Sequence, residues 1–464
     1  MWSVLSHSPN LSLGLISSQT KSVVWNYAQS LLVDLTMLHI GIDDTDSKEG
    51  MCTTYIGAVI VDRLKEINVR LDDYPRLVRL NPNWPLKTRG NCAVAIRVSD
   101  GEGRLPEVKG IVLETVGSLA ELDHDTTNPG VVFYEGAKIP VELEEFSKKV
   151  ICDVTTIKEA EKLAHRVGAE AYKFKLGRGI IGALAAIGEN LDEDRTYELL
   201  AYRIPENWGM ERRIDLNSVF EMDAKTGPET FDNVDRETGE VRIAPHTPCP
   251  VLYGIRAEKP ESAEKAHSFV KALEPIERWV IYKTNQATDH HLRTAKICEA
   301  KPYTSVILEG FVSSEPMVLP GGHVIFRLKD SSGEICCAAY EPTRGFTKVI
   351  RKLREGDKVM VYGGVKQKPN LPLTVNLEKI RVLNLKTILR KVNPTCPKCG
   401  KKAKSEGRNK GYVCRKCKTR FPAEAARNIE CPRDISCGYY EVPPRARRHI
   451  AKPIQRLPEL HRVY

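Results

Sequence analysis

Residues 39–47 read His39-Ile40-Gly41-Ile42-Asp43-Asp44-Thr45-Asp46-Ser47, and residues 50–55 follow as Gly50-Met51-Cys52-Thr53-Thr54-Tyr55. The apolar residues predict a strand that ends in three carboxylates, and the paired threonines predict the first turn of a helix. Mg²⁺ prefers hard oxygen ligands, and a helix start offers free backbone N–H groups to an anion such as phosphate. The pattern therefore predicts a metal-dependent nucleotide site. An ordinary acidic turn with a threonine cap is the alternative.

Strand and helix signals alternate between residues 37 and 155, and the length of 464 residues suggests about three or four domains. Apolar residues recur at helical spacing in some segments and form short runs in others. We expect an α/β layered domain over this region. Its predicted strands cover 38–43, 92–98 and 131–134, and its predicted helices cover 53–67 and 111–122.

Residues 1–36 differ from the rest of the chain. They are rich in Ser and Leu, and their only charged residues are Lys21 and Asp34. The segment lacks the basic start and the cleavage site of a signal peptide. We therefore expect an unstructured or non-native leader.

A second domain is expected over residues 156–300. A helix at about 156–170 leads to a loop of GxGxxG form at 177–182, which is weak evidence for phosphate binding on its own. Strands near 196–204, 240–244, 251–256 and 278–283, with a helix at about 260–273, suggest an α/β or α+β domain. The acidic loop 226–235 could bind a cationic substrate through charge-assisted hydrogen bonds, and a solvated acidic hairpin is the alternative.

Residues 301–388 show three strands, a helix and two strands, which is the order of an OB-fold β-barrel. Barrels of this kind commonly bind single-stranded nucleic acid in a basic groove with stacking aromatic side chains. The candidates for such contacts are Tyr340, Phe346, Tyr362, Lys366 and Lys368. For each aromatic ring taken singly, a place in the core is the favoured alternative.

A zinc ribbon is expected over residues 389–425. Cys396, Cys399, Cys414 and Cys417 form two CxxC pairs, which let four thiolates surround one structural Zn²⁺. The ribbon is rich in Lys and Arg, as suits contacts with nucleic-acid phosphates. The RNA-binding candidates are Lys401, Lys402, Lys404, Arg415, Lys416 and Lys418.

The positive charge of the chain is concentrated at its end. The net charge is +10, yet residues 391–464 hold 19 Lys and Arg against 6 Asp and Glu. This asymmetry is typical of a nucleic-acid-binding module attached to a near-neutral body. Residues 426–464 are expected to form a basic tail.

The cysteines and the hydropathy place limits on the class of protein. Thirteen cysteines, an odd number with CxxC pairs, argue against a secreted disulfide scaffold and favour a reducing cytoplasm. No apolar run reaches the roughly 18–20 residues of a membrane span. We expect no membrane association and no obligate protein partner.

The order of these parts is similar to that of one enzyme family. The motifs GIDDTDS, GMCTTY, GRGIIGALAAIG and CPVLYGIR, followed by an OB-fold and a four-cysteine ribbon, resemble the archaeal isoleucine-tRNA 2-agmatinylcytidine synthetases over residues 37–425. The resemblance implies a multidomain α+β protein with an α/β kinase-like catalytic domain, a ferredoxin-like domain, an OB-fold and a zinc ribbon. It implies an ATP-dependent carbon–nitrogen ligase that joins agmatine to C2 of the wobble cytidine of the isoleucine tRNA with a CAU anticodon. Phosphorylation of the cytosine O2 would precede the attachment, and the product would read AUA codons.

The resemblance also implies roles for individual residues. Asp43, Asp44 and Asp46 would bind Mg²⁺ and phosphate, and Thr53 stands where the family carries a threonine that takes phosphate. Further candidates for binding ATP or phosphate are Thr45, Ser47, Thr54, Lys87, Arg89, Lys175 and Arg178. Because agmatine is a dication at neutral pH, its pocket should be acidic. The candidates for that pocket are Asp215, Glu221, Asp223, Asp232 and Asp235.

Two other functions remain open from the sequence. A non-catalytic single-strand-binding protein would use the OB-fold and the ribbon, and would show no ATP turnover. An ATP-dependent RNA-modifying enzyme of another specificity would keep the aspartate cluster and ignore agmatine. The expected ligands and partners of the ligase are ATP, Mg²⁺, structural Zn²⁺, agmatine and the tRNA.

Overall fold

The computed structural model describes residues 37–99 and 103–458, so the expected leader at 1–36 lies outside the described residues. The first half of the chain supplies six strands and five helices to a mixed sheet. The strands are β1 (Met37–Asp43), β2 (Arg70–Leu71), β3 (Arg76–Arg79), β4 (Cys92–Ser99), β5 (Gly130–Glu135) and β6 (Glu170–Lys173). The helices are α1 (Thr53–Glu66), α2 (Leu105–Leu119), α3 (Val141–Cys152), α4 (Ile157–Val167) and α5 (Ile180–Gly188).

Strand β1 lies between β4 and β5 and pairs with both in antiparallel register. Its residues are almost all buried because helices cover both faces of the sheet. Helix α5 lies very close to β1, since a Cβ on Gly41 would come 2.2 Å from the carbonyl oxygen of Ala183. This close approach brings the N-terminus of α5 to the end of β1, where the aspartates lie.

The second half of the sheet has a ferredoxin-like arrangement. Its elements are β7 (Thr196–Arg203), α6 (Leu216–Thr226), β8 (Thr230–Phe231), β9 (Val234–Asp235), β10 (Glu240–Val241), β11 (Val251–Ala257), α7 (Pro260–His267) and β12 (Ile276–Thr284). The main strands follow a β-α-β-β-α-β sequence and stand in the spatial order β12-β7-β11-β8. The ferredoxin-like fold expected from the sequence is confirmed.

The two halves share one continuous sheet. Its order is β6-β5-β1-β4-β3-β12-β7-β11-β8, and β2 pairs with β4 at the side. The junction is a parallel pairing of β3 with β12, in which Arg76 lies opposite Lys283. The sequence predicts a domain boundary between residues 155 and 156, which would place α4, α5 and β6 in the second domain. In the structure these three elements contact the first half of the sheet. The packing of these elements therefore does not separate two domains at residues 155 and 156.

The third part is a closed five-stranded barrel. Its elements are β13 (Leu292–Thr294), β14 (Ser305–Val312), β15 (Met317–Val318), β16 (Val324–Lys329), β17 (Glu334–Ala339), α8 (Gly345–Ile350), β18 (Lys358–Lys366) and β19 (Thr374–Asn384). Pairing of β14 with β16 closes the barrel, and the apolar residues of the five long strands fill its interior. The expected OB-fold is confirmed, including the helix between its third and fourth strands.

The ribbon and the tail complete the chain. Their strands are β20 (Ile388–Val392), β21 (Lys404–Ser405), β22 (Tyr412–Val413), β23 (Arg420–Phe421), β24 (Arg427–Cys431) and β25 (Gly438–Glu441). Strand β24 pairs with β20, and β25 then joins the edge of the barrel beside β19. Up to residue 458 the predicted basic tail is thus a folded segment that returns to the body of the protein. In the described ranges, no helix has the length and apolar character needed to cross a membrane.

Candidate active site

A cavity opens where β1 ends and where α1 and α5 begin. The loop between β3 and β4 forms one wall, and the segment after α3 forms another. Its polar or ionisable lining residues include Asp43, Asp44, Asp46, Thr53, Asn81, Lys87, Thr88, Arg89, Asn91, Asp153, Thr155 and Arg178. Seven of the residues proposed from the sequence therefore meet at one place, namely Asp43, Asp44, Asp46, Thr53, Lys87, Arg89 and Arg178.

Asp43 is the last residue of β1, and its carboxyl group faces α5. Burial, followed by the neighbouring carboxylates of Asp44 and Asp46, raises the pKa of Asp43 well above its usual value. A Cβ on Gly182 would lie 2.0 Å from the Oδ2 atom of Asp43. The carboxyl group therefore occupies space that only a glycine in α5 leaves open.

Asp44 holds the guanidinium of Arg178 in a two-pronged ion pair. The Nε and Nη2 atoms of Arg178 donate to Oδ2 and Oδ1 of Asp44, each at 3.1 Å. Asp44 adopts a left-handed backbone conformation with φ of 60°, which turns the chain sharply after β1. Burial raises the pKa of Asp44, although Arg178 opposes this effect. The GxGxxG loop thus contributes an arginine to the aspartate cluster.

Asp46 is held by two residues of the loop before β4. The Nε atom of Arg89 donates to Oδ2 of Asp46 at 2.9 Å, and the hydroxyl of Thr88 donates to Oδ1 at 3.1 Å. The Nη2 atom of Arg89 also donates to the carbonyl oxygen of Met51. Within the described chain, the buried Nη1 atom of Arg89 has no hydrogen-bond partner. An unpaired guanidinium N–H beside this cavity suits a phosphate oxygen.

Thr53 is the first residue of α1 and is almost fully buried. Its Oγ1 atom accepts a hydrogen bond from the hydroxyl of Thr45 at 3.0 Å. The N-cap residue Cys52 makes no capping bond with its side chain, so the side chains leave the first N–H groups of α1 uncapped. A hydroxyl and a helix N-terminus therefore lie together at the end of the aspartate strand.

Four other phosphate candidates do not line the cavity. Thr45 supports Thr53 as described, and the Oγ atom of Ser47 accepts hydrogen bonds from the backbone N–H groups of Glu49 and Gly50. The Thr54 hydroxyl lies 3.0 Å from the sulfur of Cys52. The remaining candidate is Lys175, whose ammonium group donates to the carbonyl oxygen of His124 at 2.6 Å. In the structure these residues shape the loops around the site.

The five acidic candidates for agmatine contact other groups of the chain. Asp215 caps the N-terminus of α6, and the other four form ion pairs with basic residues of the chain. Glu221 pairs with Lys225, Asp223 with Arg236, Asp232 with Arg447 and Arg256, and Asp235 with Arg445. None of the five lines the cavity beside Thr53. Asp232 and Asp235 are also buried, so the alternative of a solvated acidic hairpin does not describe them.

The tail arginine Arg445 is expected to matter for stability. Asp235 is fully buried, and although burial opposes the change, hydrogen bonds from Arg445 lower its pKa. We expect Arg445→Met to reduce the free energy of unfolding by about 3 kcal/mol, because it leaves a buried carboxylate without its cation. Urea unfolding monitored by circular dichroism measures the change.

Arg236→Met is the matched control for this experiment. Arg236 also pairs with an acidic candidate, Asp223, but its side chain is 81% exposed. Exposed ion pairs contribute less than about 1 kcal/mol. Equal effects of the two substitutions would contradict the view that Arg445 anchors the tail.

The contact between Gly182 and Asp43 gives a second expectation. Gly182→Ala would place a Cβ against the Asp43 carboxyl group and 2.8 Å from Leu80 Cδ1. We expect activity to fall by about tenfold or more and the free energy of unfolding to fall by about 1–3 kcal/mol, because a tightly packed site is overfilled. Thermal unfolding and the activity assay given below measure both quantities.

Gly110→Ala provides the control for Gly182→Ala. Gly110 lies inside α2, and a Cβ there meets nothing within 4 Å. We expect this change to leave activity intact and to stabilise the protein by up to about 1 kcal/mol. A Gly182→Ala protein with normal activity would show that the position of the Asp43 carboxyl is unimportant.

The four cysteines of the ribbon fit a zinc ion. Their sulfur atoms all lie within 4.8 Å of one another, as expected around a tetrahedral ion with Zn–S bonds of about 2.3 Å. The six basic candidates for RNA contacts on the ribbon are exposed. In the OB-fold, by contrast, Phe346 and Tyr362 are buried and belong to the core.

The aspartates do not form a similar cage. In the described ranges, only the four cysteines bring three or more ligand atoms of His, Cys, Asp or Glu within 4.8 Å of one another. Mg²⁺ usually takes one or two carboxylates together with substrate phosphates and water. The arrangement of the aspartates is compatible with Mg²⁺ held by one or two of them together with substrate phosphates.

Sequence reasoning missed one side of the cavity. Trp84 and Asn81 come from the loop after β3, and Asp153 and Thr155 follow the end of α3. No motif marks these positions, because they reach the site only through folding of distant segments. The Asn-Pro-Asn-Trp-Pro run at 81–85 is the available signal, since such a rigid turn often carries binding residues.

Models of known families match four stretches of the chain. The TiaS TCKD domain matches residues 39–112, and the TiaS FLD domain matches residues 177–291. An OB-fold nucleic acid binding domain matches residues 306–383, and the TiaS C-terminal zinc ribbon domain matches residues 393–435.

Similar proteins cover nearly the whole chain. A protein of Methanocaldococcus jannaschii, the isoleucine-tRNA 2-agmatinylcytidine synthetase TiaS, is 46% identical over 426 residues, which are 91% of this chain and 99% of that protein. The crystal structure of apo TiaS gives a TM-score of 0.84 at 43% identity, and covers 92% of this chain and 99% of its own. The crystal structure of TiaS in complex with its isoleucine tRNA, AMPCPP and agmatine gives a TM-score of 0.80 at 42% identity, with the same coverage.

Proposed function

The chain belongs to the family of isoleucine-tRNA 2-agmatinylcytidine synthetases, and on this basis we propose that it attaches agmatine to C2 of the wobble cytidine of the isoleucine tRNA with a CAU anticodon. The reaction depends on ATP and enables the tRNA to read AUA codons. The observation that carries the proposal is the meeting of Asp43, Asp44, Asp46 and Thr53 in one cavity. A nucleic-acid-binding protein without catalysis would have no use for this arrangement.

The phosphates of ATP bind at the arginine side of the cavity. Arg89 and Arg178 are fixed by Asp46 and Asp44, so their remaining N–H groups are oriented before a ligand arrives. The start of α1 adds backbone N–H groups beside Thr53. This arrangement presents the terminal phosphate to the Thr53 hydroxyl, for which the resemblance implies the role of phosphate acceptor.

Magnesium is a further part of the proposal. One or two of Asp43, Asp44 and Asp46 would hold the ion together with the ATP phosphates, which the spacing of their oxygens allows. When bound, Mg²⁺ neutralises phosphate charge during transfer.

The chemistry explains why a phosphate is needed. The C2 carbonyl of cytosine is urea-like, and a direct attack by an amine would have to expel an oxide. Phosphorylation of O2 converts this oxygen into a leaving group. The agmatine nitrogen then forms the bond to C2 while the C2–O bond breaks, and phosphate departs with the bonding electrons. The amine loses its proton in the same exchange.

Two groups of basic residues bind the RNA in this proposal. The exposed Lys and Arg residues of the ribbon contact phosphates away from the cavity. Lys87, which lines the cavity, and Lys366 of the barrel lie near Arg448, and burial together with Arg448 lowers the pKa of both lysines. Neither lysine pairs with a carboxylate in the part of the chain that the structure describes. These contacts help offset the cost of unstacking the target base, on the order of a few kcal/mol.

The reducing cytoplasm is the proposed location of the reaction. All thirteen cysteines are free, and four of them form the zinc group, which requires thiolates. Disulfides persist mainly in oxidising compartments.

The proposal is tested with purified protein, an unmodified isoleucine tRNA transcript with a CAU anticodon, ATP, Mg²⁺ and labelled agmatine. We expect label in a nucleoside heavier than cytidine after digestion, only when ATP is present. ATP consumption that depends on tRNA but gives no labelled nucleoside would indicate an RNA-modifying enzyme of another specificity. RNA binding without ATP consumption would indicate the binding protein.

A further inference from the structure

Thr45 is a buried threonine in the turn between β1 and α1, and its side chain touches Thr53. The hydroxyl of Thr45 donates a hydrogen bond to the Oγ1 atom of Thr53 at 3.0 Å. Both residues are buried, but Thr53 lines the cavity and Thr45 does not. The Thr45 hydroxyl therefore reaches the Thr53 oxygen from the protein side, and leaves the cavity side of that oxygen open.

The backbone around Thr45 is held at several points. The residue before it, Asp44, and the residue after it, Asp46, each form an ion pair with an arginine of a different loop. The carbonyl oxygen of Thr45 also accepts a hydrogen bond from the backbone N–H of Glu121 at 3.1 Å. A donor fixed in this way needs no rearrangement when negative charge develops beside it, which is the property of a preorganised donor.

The Thr53 oxygen keeps part of its bonding capacity free. A threonine hydroxyl has one proton and two lone pairs, and the hydrogen bond from Thr45 occupies one lone pair. Across residues 37–99 and 103–458, this oxygen makes no second hydrogen bond to a protein group. The second lone pair and the proton therefore remain available on the side of the cavity.

Thr54, the neighbouring threonine, lacks this arrangement. Its hydroxyl lies 3.0 Å from the sulfur of Cys52, and its side chain does not line the cavity. Of the two paired threonines at the start of α1, only Thr53 receives the hydroxyl of Thr45. The hydrogen bond thus distinguishes the residue that faces the cavity from its neighbour.

We infer that Thr45 donates a hydrogen bond that strengthens during phosphate transfer to Thr53 and so accelerates this step, an inference that rests on the proposed function. In the step, Thr53 Oγ1 forms a bond to the terminal phosphorus of ATP. The bond from this phosphorus to its bridging oxygen breaks, and ADP leaves with the bonding electrons. The Thr53 proton is released to solvent in the cavity. Negative charge develops on Oγ1 as the proton leaves, and a hydrogen bond to a charged oxygen is roughly twice as strong as one to a neutral oxygen.

This role acts on the rate of transfer and not on the binding of ATP. An interaction that is stronger in the transition state than in the ground state raises kcat and leaves KM unchanged. Thr45 does not line the cavity, so its replacement removes no contact with the nucleotide. Removal of a preorganised donor from an oxyanion hole costs about 10²–10³ in kcat. We expect a smaller loss here, about tenfold to a hundredfold, because a loose phosphoryl transition state places less charge on the attacking oxygen.

The test measures single-turnover transfer of labelled terminal phosphate from ATP to the protein, with Mg²⁺ and a series of ATP concentrations, in Thr45→Val, Thr45→Ser and the wild type. Valine keeps the branched shape and removes the donor. The rate constant at saturating ATP should therefore fall about tenfold to a hundredfold, while the ATP concentration that gives half of this rate stays unchanged. Serine keeps the hydroxyl and should recover most of the rate. A wild-type rate in Thr45→Val, or an equal loss in Thr45→Ser, would overturn the inference.

Thr226→Val is the matched control. Thr226 is also buried, and its hydroxyl donates to the carbonyl oxygen of Met222 at 2.7 Å within α6, away from the lining of the cavity. We expect this variant to lose a similar amount of thermal stability and to transfer phosphate at the wild-type rate. Equal losses of rate in Thr226→Val and Thr45→Val would contradict a specific role of the Thr45 donor.

The wild-type protein separates this inference from the proposed function. A protein that attaches labelled agmatine to the tRNA without taking phosphate on Thr53 would overturn the inference and leave the proposed function standing. A protein that neither takes phosphate from ATP nor incorporates agmatine would overturn both.

Discussion

Thr53→Ala is expected to reduce attachment of agmatine to the tRNA by about three orders of magnitude or more. The Thr53 hydroxyl lies at the N-terminus of α1 and accepts a hydrogen bond from Thr45, so its lone pairs have a fixed direction. When several residues act together in catalysis, removal of the nucleophile alone abolishes most of their combined rate enhancement. Single-turnover incorporation of labelled agmatine, with ATP at saturation, measures the effect.

Thr53→Ser is the matched variant for this measurement, because it restores a hydroxyl at the same position. We expect it to recover a substantial part of the activity and to incorporate labelled phosphate from ATP, which Thr53→Ala should not. Thermal unfolding of both proteins excludes a general loss of structure. Thr53→Ala protein with more than about a tenth of wild-type activity would show that this hydroxyl takes no part in the reaction, since such losses are far smaller than a missing nucleophile causes.

The aspartate and threonine cluster of the proposed site was predictable because its residues are close in sequence. Asp43 to Asp46 and Thr53 lie on consecutive elements, so the end of β1 and the start of α1 must meet whatever the rest of the chain does. The two zinc-binding cysteine pairs are local for the same reason. Arg89 and Arg178 were candidates because of the resemblance. The structure shows what holds them beside the cluster, since they form ion pairs with Asp46 and Asp44.

The other walls of the cavity and the partners of the acidic loop were not predictable, because they depend on contacts between distant residues. The acidic loop at 226–235 has the composition of a cation-binding loop, and nothing local shows that Arg445 and Arg447 return to neutralise it. In the same way, Asp153 follows an ordinary amphipathic helix, and only the fold brings it into the wall of the cavity. Charge alone cannot distinguish a binding carboxylate from a structural one.

The same contacts change the interpretation of the basic tail. Its basic composition suggests RNA binding. In the structure, carboxylates of the barrel or of the ferredoxin-like half pair with Arg433, Arg445, Arg447, Lys452 and Arg456. The six lysine and arginine candidates for RNA contacts on the ribbon, by contrast, are exposed. The tail instead ties the OB-fold to the ferredoxin-like half, which keeps the ribbon in a defined position relative to the cavity.

Loss of the ribbon zinc is therefore expected to reduce affinity for tRNA without damaging the catalytic cavity. The ribbon buries few apolar side chains, chiefly Ala403 and Tyr412, so it cannot hold its fold without the ion. Structural zinc contributes an apparent folding free energy of about 10–16 kcal/mol in such modules. We expect Cys414→Ser to lower the zinc content and to weaken tRNA binding by about tenfold to a hundredfold at moderate salt, because several phosphate contacts disappear.

Fluorescence anisotropy with labelled tRNA at a series of salt concentrations measures this effect. The slope of log Kd against log salt should become shallower in Cys414→Ser, since fewer counterions are released on binding. Cys437→Ser is the control, because this exposed cysteine lies outside the four-sulfur group. β24 and β25 attach to β20 and the barrel on the far side of the ribbon, so the tail should stay anchored when the ribbon unfolds. An unchanged slope in Cys414→Ser would mean that the ribbon lysines do not contact the tRNA. The phosphate contacts would then come from the barrel and the cavity mouth.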